Sequence, residues 1–174
     1  MDMKLKSHKQ RGQSMIETAL LLPILLLLFA GMIEVVFVCR TYLVLLDSSY
    51  QGAHIAVQGK ALFDDTEVYT LVRQDLQPYY DNTNLIDVII TRGTFNGGTS
   101  VTISSVSHMK GTTRPSTLTP AVISSRLRSG DLYSRFIVVE VLYDQPLLFN
   151  FFYIRGVIPN PFPLVAYTVQ YVMH

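Results

Sequence analysis

Polar and apolar positions change their pattern three times along this chain. The first twelve residues, MDMKLKSHKQRG, are mostly polar, with Lys4, Lys6, Lys9 and Arg11 set against Asp2. From Thr18 to Ile33 no residue is charged, and the centre of that run reads ALLLPILLLLFAG. Glu34 interrupts it, and Val35 to Cys39 resume it before Arg40. As a helix, Thr18 to Cys39 is about 33 Å long, enough for a hydrocarbon core of about 30 Å. The run exceeds the apolar region of a secretory signal, about 7–15 residues, and no A-x-A site follows it. Basic residues crowd its N-terminal side and Arg40 alone stands close behind it. This asymmetry predicts a single-pass anchor in the cell (inner) membrane. Its N-terminus is cytoplasmic and its C-terminal domain periplasmic or extracellular.

Past Arg40 the period is helical. Leu43, Leu46, Tyr50, Ala53 and Val57 recur at steps of three and four and predict one buried stripe, with Gly59 as the stop. Asp64-Asp65-Thr66-Glu67 reads as a capped helix start, with Val68, Leu71, Val72 and Leu76 as the buried face and Pro78 as the end. The period then shortens to that of strands over 85–91, 101–109, 135–143 and 163–173. Asn96-Gly97-Gly98 makes a hairpin turn between the first two strands. Residues 111–120 form a polar loop, and 121–127 add a short helix. The expectation is an α+β fold: a long N-terminal transmembrane helix followed by a small antiparallel sheet. Its organisation is a basic cytoplasmic leader (1–12), the transmembrane helix and its extracytoplasmic extension (13–60), and a small α+β extracytoplasmic domain (61–174).

Composition supports an anchored chain. Hydrophobic residues are 49% and charged residues 16% of the sequence, against roughly 25% charged in an average soluble domain. A net charge of +1 and the lack of a basic stripe downstream give nucleic acid no footprint. Cys39, the single cysteine, cannot form an internal disulfide, so the outer domain stands on packing. The four histidines share no metal-ligand spacing, and Asp64, Asp65 and Glu67 read as a solvated helix cap before a cation site. Gly52 to Lys60 lacks the spacing of a phosphate loop, and no G-x-S-x-G is present. The chain is therefore expected not to be an enzyme and to need no cofactor, metal or small-molecule substrate. The aromatic cluster Phe149, Phe151, Phe152, Tyr153 and Phe162 reads as core before interface.

Two acids lie within the apolar helix, and neither has a basic residue three or four positions away. Glu17 sits at the cytoplasmic edge and Glu34 near the outer edge, where a carboxylate can snorkel into the headgroups. Pro23 removes one backbone N–H and kinks or locally unwinds the helix. Gly12, Gln13, Ser14, Met15, Ile16 and Glu17 make G-x-x-x-x-E between a basic leader and an apolar helix. This motif resembles the prepilin-peptidase site of type IV pilins and pseudopilins. More narrowly, Arg11, Gly12, Glu17, Pro23, Gly31 and Glu34 resemble the opening of TadE-like proteins of the tight adherence (Flp) pilus system. The C-terminal VVEVLYDQPLLF and PLVAYTVQYVM resemble that family's closing strands. Position 18 is Thr where an aromatic residue is common.

The resemblance implies a pilin-like fold and cleavage between Gly12 and Gln13. It implies Glu17 and Glu34 as candidates for charge pairing during assembly. It also implies that the chain is a minor pilin-like (pseudopilin) subunit in assembly of an adhesive Tad/Flp-type pilus, a cell-adhesion and secretion-system role. Its partners would be membrane lipid, a prepilin peptidase, other pilin-like subunits and the pilus assembly platform. Cleavage would create an ammonium on Gln13, one turn before Glu17, and the two would attract strongly in low dielectric while both pay desolvation. Two other readings are a signal-anchored extracytoplasmic binding protein that is not processed, and an anchored hydrolase.

Overall fold

The computed structural model describes residues 5–58, 65–76, 85–96, 100–109, 114–127, 134–149 and 158–172, with side chains from Met15 onward. Helix α1 (Leu5–Gln58) runs unbroken through Pro23, and α2 (Asp65–Leu76) follows. Strands β1 (Ile86–Phe95) and β2 (Val101–His108) come next, then the short α3 (Pro120–Arg126), β3 (Ser134–Gln145) and β4 (Phe162–Val172). The four strands form an antiparallel sheet in the order β2-β1-β3-β4. The fold is α+β, as expected. Gly59, Asp64, Pro78, Gly97 and Gly98, to which stops and turns were assigned, lie outside the described residues. The expected hairpin is nevertheless visible in the pairing of β1 with β2 and in the Asn96 N–H donating to the Ser100 carbonyl at 3.1 Å.

Strand alternation explains how the sheet is covered. Odd-numbered residues of β3, from Ile137 to Tyr143, face α1 and α2 together with Ile86, Val88 and Ile90 of β1 and Leu164 and Ala166 of β4. The opposite face carries Phe95, Phe136 and Val138, closed by Ile123 and Leu127 at α3. β1 and β3 are therefore buried on both sides, and β2 is an exposed edge. On α2, Val68, Val72 and Leu76 are buried as expected, but Leu71 is exposed. Its N-terminus is fastened to the sheet by Arg92, whose guanidinium donates to both Asp65 oxygens. That hydrogen bond holds the Asp65 carboxyl below its ordinary value of 3.8.

The expected stripe on α1 needs correction. Leu43, Leu46 and Tyr50 are exposed, and Ala53 alone of the five is fully buried. The face that meets the sheet carries Thr41, Leu45, Ser48, Ser49, Gly52 and Ala53, turned from the expected one by roughly a third of a turn. The reason is steric. A Cβ on Gly52 would come within 2.9 Å of Val72 Cγ2 and 3.4 Å of Val139 Cγ1. The helix lies so close to a β-branched surface that small residues, with Leu45 the one large apolar side chain among them, mark its buried side. Hydroxyls complete the contact: Thr41 Oγ1 donates to Gln145 Oε1 at 2.8 Å, and Ser49 Oγ lies 2.9 Å from Thr168 Oγ1.

Candidate functional site

Most of the chemistry read from the sequence lies along α1, and the structure separates it by depth. Gly12 and Gln13 fall within the helix, which continues back to Leu5 across the expected cleavage point. Their side chains lie outside the described residues. Glu17 is exposed on the helix surface. Glu34 lies 17 positions further on, roughly 25 Å along the axis, so the fold does not bring the two acids together. Met15–Gln58 contains a stretch long and apolar enough to cross a membrane, and only 6% of its most apolar window is buried within the protein. A core helix of the same composition would be mostly covered.

Glu34 is the residue whose surroundings the sequence did not reveal. Instead of reaching away from the protein it is 7% exposed, with one carboxylate oxygen taking the Leu148 N–H at 3.1 Å and the other taking the Phe149 N–H at 3.1 Å. Both donors belong to the irregular chain after β3, more than a hundred residues away in sequence. Short-range pairing rules, which look three or four positions along a helix, could not find them. A charged acceptor shared by two backbone donors is a strong, orienting contact. Beside it, Gly31, Val35, Val38 and Cys39 of α1 face Leu147, Ile158 and Phe162 across an almost wholly apolar cleft of about 310 Å³. Phe149 and Phe162 are half-buried here, while Phe151, Phe152 and Tyr153 lie outside the described residues.

Residues 12–54 match the family model for TadE-like proteins. The chain carries a TadE-like segment. That segment opens on Gly12, includes Glu17, Pro23 and Glu34, and ends within α1 at the part that packs on the sheet. It covers about a quarter of the chain, all of it within α1, while the sheet lies outside the match. No curated protein and no solved structure matches the chain. Within the TadE-like segment the two acids differ in environment: Glu17 is exposed, and Glu34 is tied to the chain after β3.

Proposed function

We propose that this protein is a minor pilin-like subunit, anchored in the cell membrane by α1, that takes part in assembling a Tad/Flp-type adhesive pilus and catalyses no reaction. The observation that carries this reading is one unbroken helix that joins a basic leader, an apolar span and the wall of a small sheet, with the TadE-like match beginning at Gly12. A subunit built this way can move as a rigid body along its own helix. Further support comes from the outward side of α1. Leu43 and Tyr50 are 63% and 57% exposed and prolong the apolar surface of the span beyond Arg40. A neighbouring pilin-like helix would cover that stripe at little cost, because both partners surrender apolar area to each other.

Processing is the first step of this role. Cleavage after Gly12 by a prepilin peptidase removes four basic side chains and leaves an ammonium at Gln13 near Glu17. Glu17 would then pair with the amine of its own or a neighbouring chain. In a peptidase-positive host, the intact mass of the membrane-extracted protein is expected to correspond to a start at Gln13. Glu17→Gln is expected to insert in the membrane as well as the wild type, since it removes a charge costing up to about 3 kcal/mol in an apolar helix, yet to reduce piliation. A mature chain that begins at Met1, with undiminished piliation by Glu17→Gln, would favour an unprocessed anchored binding protein instead.

A further inference from the structure

The contact at Glu34 lies at an unexpected depth. Cys39 closes the apolar run, and Glu34 is five positions before it, roughly 8 Å closer to the bilayer centre. Gly31, which lines the same cleft, is deeper by about one further turn. Leu147, Leu148, Phe149 and Ile158 therefore stand beside the outer third of the membrane span, not above it. Irregular backbone at that depth is tolerated only when its N–H groups find acceptors within the protein, since hydrocarbon offers none. Glu34 supplies acceptors to two of them, and they in turn satisfy a carboxylate that would otherwise be costly there. The side chain of Leu148, meanwhile, is 52% exposed. Val35, which lines the same cleft from α1, is 61% exposed.

We infer that Leu147–Phe149, fastened to Glu34, is a second membrane-contact element: it enters the outer leaflet at the level of the upper acyl chains and docks the extracytoplasmic domain against the bilayer. This rests on the reading of α1 as a membrane span. Two consequences follow from the geometry. The sheet has a set orientation to the membrane plane while the subunit is anchored. Extraction of the subunit along its helix axis must withdraw this segment as well as the helix. Glu34 is the positioning residue, and the apolar side chains around Leu148 make the contact with lipid.

The test uses the full chain with Cys39→Ala, reconstituted in vesicles of palmitoyl-oleoyl phosphatidylethanolamine and phosphatidylglycerol. Single cysteines carrying an environment-sensitive fluorophore are placed at Leu148, at Ser105 on the exposed edge strand, and at Leu25 in mid-span. Phospholipid bearing a nitroxide high on its acyl chain is expected to quench most of the fluorescence at position 148 and little at 105, whereas aqueous iodide does the reverse. Adding Glu34→Leu is expected to release position 148 to iodide while position 25 stays protected. Equal iodide quenching at 148 and 105 would overturn the inference. So would protection of 148 from both quenchers, which would mean that protein covers it. Failure of the lipid nitroxide to quench more as it is moved toward the depth of position 25 would instead remove the membrane span itself, and with it the anchored reading above.

Discussion

Glu140 is 1% exposed in the middle of β3, a position where an unpaired carboxylate would oppose folding by several kcal/mol. It is paired. Its oxygens accept from Ser116 Oγ at 2.7 Å, from the Thr117 N–H at 2.9 Å and from Thr117 Oγ1. Nearby, the Arg114 guanidinium donates to both oxygens of Asp144, so residues 114–117 lie strapped along the face of β3 opposite α1. Glu140→Leu fills the space but leaves the Thr117 N–H and two hydroxyls without their acceptor. We expect it to lower unfolding stability by about 3 kcal/mol, and Ser116→Ala by about 1–2 kcal/mol. Urea titration of the detergent-solubilised chain measures both, and equal stability of Glu140→Leu and wild type would show that the strap contributes nothing.

The elements meet through small residues as much as through large ones. α1 reaches β3 and β4 because Ser48, Ser49, Gly52 and Ala53 let its backbone approach the valines of the sheet and of α2. Gly52 costs the helix about 1 kcal/mol relative to alanine in propensity. Its place in the contact explains why it is there. Gly52→Leu is expected to overpack this junction and destabilise the domain by at least about 1–3 kcal/mol, despite its better helix propensity. Leu46→Ala, on the outward side, is expected to change thermal stability by less than about 1 kcal/mol while weakening assembly. Thermal melts of the two variants discriminate the faces, and the reverse order would return the buried side to the stripe read from periodicity. At β1, Gly93 serves the same purpose, since a Cβ there would meet Phe136 Cζ and the Thr102 carbonyl at 2.5 Å.

For the whole molecule, the C-terminal half of α1 is one wall of the sheet's core and not a free stalk. A chain starting near Ala61 therefore returns the α1-facing side of β3 and β4 to water, at about 25 cal/mol per Å² of apolar area. A chain starting just after Arg40 retains Thr41, Leu45, Ser48 and Gly52 and is expected to melt cooperatively, at a clearly higher midpoint than the shorter one. Equal midpoints would mean that the helix does not pack on the sheet. Sequence by itself determined the long apolar helix, the second helix, the four strands and the TadE-like opening, because each is a local pattern of period, length or spacing. It also determined that Glu17 lies near the N-terminal end of the apolar run, 17 positions before Glu34, which depends only on counting along one helix. Tertiary structure alone decided which face of α1 is buried. There the close approach of the helix backbone to valine side chains selects glycine, serine and alanine, and hydrophobicity scales do not mark such residues as core. It alone decided the partners of Glu34 and Glu140 as well, because a carboxylate's donors can come from any segment that the fold brings within about 3 Å. Here they come from 114 residues further on for one and 24 residues earlier for the other.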